Sequence, residues 1–517
     1  MYLTAGLHRS LQRHPDKTAT VDGPRRQSFA QLASRVARLA GALVRLGVKR
    51  GDRVAILALN GDRYIETALA VWWAGAVLNP VNTRWTATEI DYALNDCGAR
   101  VLFVDDALAG LTAGISDQVP SLQVTVAMSD APAAPGLDYE TLIAQAAPVE
   151  DVRCDNGELA AILYTGGTTG FPKGVMLSHA NLWAALVGRM AEVPNPGEFI
   201  TLLTAPMFHV AGLGRMLGQT IVGGTCVTFP AFNAQAVLRT LASERITDVV
   251  LVPSMLQMLL DAPTFNQTDL SSLRRILWGA APITVPLLER ALEAFAGVEF
   301  IHAYGMTETA ASVSVHHIGS SIEERNHHRI RSAGRAGFST EIRIADGQGK
   351  ELPRGEPGEI LVRGPVVMMG YWNRPADTQQ ALRDGWLHTG DGGTMDDAGY
   401  VYVVDRIKDM VISGGENVYP AEVEEVLGRH PGVTASAVIG IPSEKWGETV
   451  HAVVVLRPGV SVTEAALIAH CRTQLGGYKC PKSIEFRTAL PLSAAGKVLK
   501  GELRKAWSEP GRSATVA

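Results

Sequence analysis

Apolar residues recur along the first third of the chain with two different spacings. From Ser28 to about Gly47 they lie three or four positions apart, which predicts a helix with one buried face. The residues Ser28-Phe29-Ala30-Gln31 have the pattern of a capping box at the start of that helix. Short apolar runs at 54–59 and 101–104 predict buried strands, and 65–73 predicts a helix between them. Strands that alternate with helices predict an α/β fold with largely parallel sheets.

The pattern changes after about residue 340. Residues 341–344 and 358–363 alternate as half-exposed strands between Gly, Pro and Asp turns, which predicts a β-rich subdomain. The segment from Asp405 onward predicts a junction into a small α+β domain. We therefore predict a large N-terminal domain over 1–404, built of βαβ-type sheets plus the β-rich subdomain, and a mobile C-terminal domain over 405–517.

Composition narrows the class of protein. The chain has 517 residues, 46% apolar and 19% charged, which predicts a globular protein with more than one hydrophobic core. A net charge of −5 argues against nucleic acid as the main partner. Five cysteines without CxxC spacing predict reduced thiols and a cytoplasmic location. The N-terminus has no signal-peptide pattern, and the longest apolar run, 68–78, is too short to span a bilayer, so we expect no transmembrane segment.

A glycine-rich stretch, YTGGTTGFPKG at 164–174, follows an apolar run that predicts a buried strand. A tight turn between two strands is the more common explanation of an isolated Gly-rich run. The alternative is a phosphate loop, in which amides, hydroxyls and Lys173 surround phosphate oxygens. A Walker motif is excluded because Lys173 lies between Pro172 and Gly174 with no Ser or Thr after it. The apolar residues 175–178 predict a second strand, so the loop would close a hairpin.

Six further motifs follow in the chain: Pro206-Met207-Phe208-His209, Gly279-Ala280-Ala281-Pro282, Tyr304-Gly305-Met306-Thr307-Glu308, Thr389-Gly390-Asp391, Asp405-Arg406-Ile407-Lys408-Asp409 and Gly496-Lys497. In this order, together with the glycine-rich loop, they resemble the signatures of the adenylate-forming superfamily. That superfamily contains acyl-CoA synthetases, adenylation domains of peptide synthetases, and luciferases. The resemblance covers the whole chain and favours the phosphate-loop interpretation.

The resemblance implies a ligase reaction in two halves, with ATP, Mg²⁺ and coenzyme A. A carboxylate attacks the α-phosphate of ATP to give an acyl-adenylate and pyrophosphate; a thiol then attacks the acyl carbon and releases AMP. The first half joins two anions, so it requires positive charge in the transition state. By resemblance, Lys497 bridges the carboxylate and the α-phosphate, and Thr307 contacts that phosphate. Glu308 holds Mg²⁺, and His209 lies beside the acyl carboxylate and gates the pocket.

The resemblance also implies the contacts to the nucleotide and the thiol. Tyr304 would pack against adenine, Asp391 and Arg406 would bind the ribose, Lys408 would be the hinge of the C-terminal domain, and Gly415 would contact the pantetheine arm. The full set of candidate binding residues is Thr165, Gly166, Gly167, Thr168, Thr169, Lys173, Gly279, Ala280, Ala281, Pro282, His302, Ala303, Tyr304, Gly305, Asp391, Arg406, Lys408 and Gly415.

Several residues depart from the family pattern. Gly166 stands where a serine is common, Trp278 where a small residue is common, and His302-Ala303 where many relatives have Gln or Asn followed by Gly. We expect His302 still to donate to the adenine edge or the α-phosphate, depending on its protonation. The doublets His316-His317 and His327-His328 are predicted to be exposed loop residues and not a zinc site.

The acid substrate is the least specified feature. Residues 210–213 are small and apolar, which suits an alkyl chain or an aryl ring, and no acidic residue in 206–213 or 279–282 would hold an amino group. The segment from Asp405 most resembles bacterial medium- and long-chain fatty acyl-CoA synthetases, so a fatty acid is predicted. Aryl-acid ligases for hydroxycinnamates and benzoates carry nearly the same segment and remain the alternative.

The motifs also leave the thiol acceptor and the end point of the reaction open. The acceptor is predicted to be free coenzyme A, with a separate carrier protein as the alternative. A chain that stops at acyl-AMP and a non-catalytic nucleotide-binding protein are both consistent with nucleotide-binding motifs. Peripheral membrane contact and a homodimer are compatible with the sequence.

Overall fold

A computed structural model of the chain describes residues 1–129, 136–165, 172–194, 198–281, 283–319, 329–413, 416–443, 446–493 and 496–508. Up to residue 319 the strands are β1 (Thr18–Asp22), β2 (Arg25–Ser28), β3 (Arg53–Leu57), β4 (Val77–Pro80), β5 (Ala99–Val104), β6 (Val124–Ala127), β7 (Leu137–Asp138), β8 (Leu159–Thr165), β9 (Lys173–Ser178), β10 (Ile200–Leu203), β11 (Thr225–Thr228), β12 (Asp248–Leu251), β13 (Arg275–Gly279), β14 (Glu299–Tyr304) and β15 (Ser314–Gly319). The later strands are β16 (Arg335–Ala336), β17 (Glu341–Ala345), β18 (Gly358–Arg363), β19 (Gly370–Tyr371), β20 (Leu382–Arg383), β21 (Trp386–Met395), β22 (Val401–Arg406), β23 (Val411–Ser413), β24 (Glu416–Val418), β25 (Val433–Ser443), β26 (Gly447–Leu456) and β27 (Ser483–Phe486).

The α-helices lie between these strands and at both ends. They are α1 (Ala5–Arg13), α2 (Phe29–Arg45), α3 (Asp62–Trp73), α4 (Ala87–Cys97), α5 (Ile115–Gln118), α6 (Tyr139–Ala144), α7 (His179–Glu192), α8 (Val210–Val222), α9 (Ala234–Ser243), α10 (Pro253–Leu260), α11 (Val285–Ala294), α12 (Pro375–Ala381), α13 (Pro420–Gly428), α14 (Glu464–Arg472) and α15 (Lys500–Ser508). Short 3-10 helices cover Ala109–Thr112, Phe265–Gln267, Thr307–Thr309 and Ile407–Asp409. Among the helices of the described residues, none has both the length and the apolar character required to cross a bilayer.

Two large sheets form the N-terminal part of the described chain. One has the order β16-β15-β14-β13-β12-β10-β11-β1-β2 and is parallel from β14 to β1. The other has the order β19-β9-β8-β4-β3-β5-β6-β7 and is parallel from β8 to β7. Strands such as β5 consist almost wholly of buried apolar residues, as expected where helices cover both faces of a parallel sheet. The predicted α/β fold with largely parallel sheets is confirmed.

The predicted first helix is present as α2. The Ser28 hydroxyl accepts from the Gln31 amide at 3.2 Å, and the Gln31 side-chain oxygen accepts from the Ser28 amide at 2.8 Å. These two bonds satisfy donors that a helix N-terminus leaves unpaired. The apolar positions of this helix, from Phe29 to Leu43, are buried in the main core. The capping box and the three-to-four spacing therefore predicted the helix correctly.

The remaining strands form two smaller five-stranded sheets. Strands β17, β18, β20, β21 and β22 make the β-rich subdomain, and β23 to β27 make the sheet of the C-terminal part. The C-terminal sheet and its helices α13 and α14 enclose an apolar core of their own, which includes Val423, Leu467 and Cys471. The large and small domains expected from the sequence are thus present, while their boundary at residue 405 stays a prediction.

Ion pairs connect the junction segment to the last helix of the C-terminal part. The Lys500 ammonium lies 2.9 Å from Glu424 and 3.4 Å from Asp405, and Arg504 pairs with Asp409 at 2.8 Å. Lys408 itself lies in the 3-10 helix Ile407–Asp409, directly after β22. Its position at the junction fits the predicted hinge, and the hinge motion stays a prediction.

Candidate active site

The predicted site residues gather at the carboxyl ends of the parallel strands β13 and β14. This is the edge at which open α/β sheets usually bind ligands. Gly279 pairs with Ala303, and a Cβ atom on Gly279 would lie 2.3 Å from the Ala303 carbonyl oxygen, so glycine is required there. The next residue, Ala280, has φ +66°, in the left-handed region. This turn holds the backbone of the GAAP motif beside the end of β14.

Tyr304, Asp391 and Arg406 form one cluster. The Tyr304 hydroxyl donates to Asp391 Oδ2 at 2.7 Å, and Arg406 Nε lies 2.6 Å from Asp391 Oδ1. Antiparallel pairing of β21 with β22 places Asp391 opposite Arg406. Burial and the neighbouring Asp391 raise the pKa of Tyr304 well above its usual value, so its hydroxyl stays a donor. The three residues predicted to bind adenine and ribose are brought together.

Glu308 lies in the 3-10 helix Thr307–Thr309 and is buried. Its Oε1 accepts from the Tyr371 hydroxyl at 2.9 Å, and no described residue donates a hydrogen bond to Oε2. Within the described ranges, no group of three or more His, Cys, Asp and Glu residues is arranged to hold a metal ion. Mg²⁺ commonly uses one or two carboxylates together with substrate phosphates and water, so a single buried carboxylate fits this ion.

The glycine-rich stretch closes a hairpin, as predicted. Strands β8 and β9 pair antiparallel with Thr165 opposite Lys173, and β9 runs into α7 only after Ser178. Lys173 Nζ lies 2.8 Å from Asp377 Oδ1 and 5.3 Å from the ring centroid of Tyr371, the same tyrosine that bonds Glu308. The hairpin therefore presents its lysine at the edge that carries Glu308. Gly166, Gly167, Thr168 and Thr169, as well as Pro282 and Gly415, lie outside the described residues.

His209 is the N-terminal cap residue of α8, and Phe208 packs on its ring with centroids 4.8 Å apart. Its Nε2 is buried with no hydrogen-bond partner among the described residues. Burial, and after it the charges of Lys497 and Arg84, lower the pKa of His209 to about 4. His209 is therefore neutral at physiological pH. Lys497, distant from His209 in sequence, is thus one of the charges that act on this histidine.

The loop that carries Lys497 docks on the N-terminal domain. Arg84 Nη1 donates to the Ser493 carbonyl oxygen at 3.0 Å. A Cβ atom on Gly496 would lie 2.8 Å from Ser254 Oγ and 2.9 Å from Val252 Cγ2, so the loop backbone touches the end of β12 and the start of α10. This contact holds Lys497 over the carboxyl ends of the sheet, where the resemblance requires a cation for adenylation.

His302 differs from its expected role. Its ring stacks on Trp278 with centroids 3.8 Å apart and planes 3° from parallel, and its Nδ1 lies 3.1 Å from the Ser332 carbonyl oxygen. A carbonyl only accepts, so Nδ1 carries the proton. Burial lowers the pKa of His302 to about 4, so the ring is neutral and Nε2 is an acceptor. In this state Nε2 does not donate, and a contact of His302 with the nucleotide stays a prediction. The neighbouring Ala303 and Gly305 remain partly accessible at this edge.

The prediction that the His316-His317 doublet lies in an exposed loop was wrong. Both residues are on strand β15, and His316 is buried with its Nδ1 3.0 Å from the Ser332 carbonyl oxygen. His317 contacts Glu299 Oε1 at 3.0 Å. Alternation along a strand places the two rings on opposite faces, whereas the polar surroundings in sequence suggested a loop. His327-His328 lies outside the described residues.

Sequence reasoning missed several residues that complete the site. Tyr371 bonds Glu308, Asp377 pairs with Lys173, and Arg84 anchors the loop of Lys497. Each belongs to a segment distant in sequence from its partner. Of these residues, Tyr371 lies in a Gly370-Tyr371 pair just after the predicted β-rich segment, and that pair was the one local feature of the sequence that could have drawn attention to it.

Comparison with known proteins agrees with this geometry. Residues 7–372 match the family model described as AMP-binding enzyme, and residues 422–497 match the AMP-binding enzyme C-terminal domain. The chain is 43% identical over 505 residues to a feruloyl-CoA synthase of Amycolatopsis sp, covering 96% of this chain and 97% of the relative. It is 35% identical over 489 residues to the long-chain-fatty-acid–CoA ligase FadD13 of Mycobacterium tuberculosis, covering 93% of each.

The fold is also found in solved structures. The anthranilate CoA ligase AuaEII in complex with anthranoyl-AMP has a TM-score of 0.91 and 30% identity, with 98% of this chain and 97% of that chain covered. The matches to these three proteins cover 93% to 98% of the chain and thus extend over both domains. The chain therefore belongs to the AMP-binding enzymes, the adenylate-forming family, and is an AMP-forming acid–thiol ligase that uses ATP and coenzyme A.

Proposed function

We propose that this ligase acts on an aryl acid of the hydroxycinnamate class and converts it, through an aryl-AMP, to the coenzyme A thioester. The observation that carries the proposal is the strand register, which places apolar residues of β12, β13 and β14 above a level of charged residues and so suits a compact ring better than a long alkyl chain. The 43% identity to a feruloyl-CoA synthase over almost the whole chain supports the same acid class. This replaces the fatty acid favoured by the sequence with the aryl alternative.

The pocket lies between helices α7 and α8 and the sheet face that they cover. Val250, in the middle of the central strand β12, keeps a partly accessible side chain, as does Ala211 near the start of α8. From these two partial exposures we infer an open space between α8 and β12, the proposed acid pocket. Leu277 and Ile301 lie beside Val250 in register and extend the apolar wall. Small and apolar residues here leave room for a flat ring.

The floor of the pocket is set by the strand register. Gly279 and Ala303 lie two residues above the Val250 level, and Asp248, Arg275 and Glu299 lie two residues below it. At about 3.3 Å per residue, the four steps span roughly 13 Å. Arg275 pairs with Glu299 at 2.8 Å, and Arg215 pairs with Asp248. An alkyl chain longer than this depth would place apolar carbon against buried charges, which is unfavourable.

The residues above the pocket supply the adenylation chemistry. Lys497 would stabilise the negative charge shared by the incoming carboxylate and the α-phosphate. His209, neutral and with an unpartnered Nε2, would form one side of the carboxylate site without competing for its charge. Tyr304, Asp391 and Arg406 would hold adenosine, and Glu308 would hold Mg²⁺. When bound, Mg²⁺ neutralises phosphate charge during the transfer.

The second half of the reaction would use the other orientation of the C-terminal domain. Lys408 would absorb the backbone rotation that withdraws Lys497, and Gly415 would contact the pantetheine arm of coenzyme A. Hinges concentrate large changes of φ and ψ in a few residues, which fits the short 3-10 turn at Ile407–Asp409.

Pyrophosphate release across a panel of acids tests the proposal. The panel contains cinnamate, 4-hydroxycinnamate, benzoate, octanoate and palmitate, each with and without coenzyme A. We expect the highest kcat/KM with a hydroxycinnamate and a dependence of turnover on coenzyme A. Lys497→Ala is the control: it should abolish pyrophosphate release but retain thioester formation from synthetic acyl-AMP. Fastest turnover of palmitate would instead support a fatty-acid ligase, as the similarity to FadD13 suggests.

A further inference from the structure

The floor of the acid pocket contains polar atoms that the fold leaves unsatisfied. Arg215 Nη2 donates to Thr201 Oγ1 at 2.8 Å and pairs with Asp248 Oδ1, and both Arg215 and Asp248 are more than nine-tenths buried. Arg215 Nε and Asp248 Oδ2 nevertheless have no hydrogen-bond partner among the described residues. Arg275 Nη1 lies 3.9 Å from Asp248 Oδ2, beyond hydrogen-bond distance. A buried donor and a buried acceptor are thus available at one place.

These atoms face the pocket because of the geometry of α8. Positions 211, 214, 215 and 218 of a helix with 3.6 residues per turn fall on one face, within about 100° of arc. Arg215 of this face reaches β10 and β12, and Ala211, one turn nearer the active site, is partly accessible. The unsatisfied pair therefore lies one helical turn below Ala211 and two strand residues below Val250, at the floor of the proposed pocket.

A second arginine, Arg189 of α7, lies beside the same face. Its Nη2 donates to the Gly214 carbonyl oxygen at 3.3 Å and lies 3.0 Å from where a Cβ atom on Gly218 would be. Glycine at 218 thus leaves the space that the guanidinium occupies. No carboxylate of the described residues forms an ion pair with Arg189.

The charge of Arg189 is only partly compensated. Burial, and after it the charge of Arg215, lower its pKa to about 10, while Asp248 acts in the opposite direction. The guanidinium still carries its charge at neutral pH. Because Arg275 pairs with Glu299, Asp248 is left to Arg189 and Arg215, and these three residues have an excess of one positive charge beside the buried Arg215 and Asp248. Such an arrangement is unfavourable unless a further acceptor completes it.

We propose that Arg189 is a specificity-determining residue that binds an oxygen at the far end of the acid substrate, with Arg215 and Asp248 completing the site. The ligand class is an aryl acid with an oxygen substituent opposite its acid chain. A phenolic hydroxyl matches the cluster best, because it can accept from an arginine and donate to Asp248 Oδ2. The inference rests on the proposed aryl-acid function and extends it to the substituent on the ring.

A series of 4-substituted cinnamates tests this directly on the wild-type enzyme. The substituents are hydroxyl, methoxy, carboxylate, methyl and hydrogen, and the readout is kcat/KM for pyrophosphate release. A site built to bond a substrate oxygen discriminates against analogues that lack it. We expect 4-hydroxycinnamate to exceed 4-methylcinnamate roughly 10- to 100-fold, as one hydrogen bond to a charged group predicts. The methoxy acid, which accepts but does not donate, should fall between them.

The variant Arg189→Met removes the guanidinium but keeps an unbranched side chain. It should lower kcat/KM for 4-hydroxycinnamate roughly 10-fold or more and leave 4-methylcinnamate unchanged or faster. Arg45→Met is the matched control, because Arg45 is a helix residue whose guanidinium also donates to one backbone carbonyl, at 3.1 Å, but on the exposed surface. The control should keep the wild-type ratio between the two acids.

The outcomes separate this inference from the function on which it rests. Equal turnover of the hydroxy and methyl acids by the wild type, or a preference that Arg189→Met retains, overturns the role of Arg189 while the aryl-acid ligase stands. Turnover of palmitate alone overturns both. A 4-carboxy acid as the best substrate supports charge pairing by Arg189, provided that the preference is lost in the variant. If Arg189→Met does not fold, the wild-type series and Arg189→Lys, which keeps the charge, decide the matter.

Discussion

Gly496 offers a direct test of whether the docked orientation of the C-terminal domain is the one that forms acyl-AMP. It has φ +73°, and a Cβ atom there would meet Ser254 Oγ at 2.8 Å and Val252 Cγ2 at 2.9 Å. The variant Gly496→Ala adds this Cβ atom. Alanine in the left-handed region costs about 1–2 kcal/mol, but that cost stays with the loop in both orientations.

The contact with the N-terminal domain exists only when the loop is docked. Forcing one extra methyl group into a packed contact costs about 1–3 kcal/mol. That amount shifts the docking equilibrium roughly 5- to 150-fold away from the orientation that presents Lys497. We therefore expect pyrophosphate release to slow within this range. Thioester formation from synthetic acyl-AMP and coenzyme A should remain near the wild-type rate, because it does not require this contact.

Gly459→Ala provides the matched control. Gly459 has φ +78° and lies in the same C-terminal part, but an added Cβ atom would meet no heavy atom within 4 Å. It reproduces the backbone strain without the contact, and both half-reactions should stay near wild type. The reasoning fails if Gly496→Ala slows both half-reactions equally, or if Gly459→Ala has the same effect on pyrophosphate release.

Two further predictions concern the nucleotide cluster and acid stability. Tyr304→Phe removes the bond to Asp391 and should raise the KM for ATP about 10-fold, near 1.5 kcal/mol, with a smaller change for the acid; equal changes for both would contradict it. Burial lowers the pKa of His179 to about 4, and its Nδ1 accepts from the Leu3 amide at 3.3 Å. As the pH decreases from 7 to 5, this histidine therefore takes up a proton in the unfolded chain before it does so in the folded one, and the free energy of unfolding falls. That loss is about 2 kcal/mol by linkage, and thermal melts of His179→Asn, which keeps an acceptor but does not titrate, should show a smaller decrease.

The sequence correctly predicted the helices and strands that depend on residues within one short segment. The helix α2 followed from a capping box and a three-to-four spacing that lie within one segment. The hairpin β8–β9 was predicted from the apolar residues that follow Lys173. The absence of a Ser or Thr after this lysine excluded a Walker motif. The ordered motifs also identified Tyr304, Asp391 and Arg406, which the fold brings within hydrogen-bond distance.

Features that depend on register between distant segments were not predictable. The tautomer of His302 follows from the Ser332 carbonyl, and burial of His316 follows from its place on β15. The arginine cluster requires α7, α8 and β12 to converge, and nothing in the residues around Arg189 indicates that convergence. The proposed preference for aryl acids is argued from this floor, which the motifs do not include.

The two ends of the pocket would compete for the carboxylate of the substrate, and their charges show how the fold limits that competition. In the proposed reaction, Lys497 would attract the carboxylate at the upper end, where His209 stays neutral. A floor with Arg189 and Arg215 uncompensated would attract it as strongly and would hold the acid in the reverse orientation. Asp248 neutralises one of these arginines, so the floor keeps a single excess positive charge. That charge is enough to bind a phenolic oxygen, and it attracts a carboxylate less strongly than two charges would. An acid with an oxygen at its far end fills that position itself and leaves its carboxylate free to face Lys497. The same floor that selects the substituent therefore also orients the reacting group.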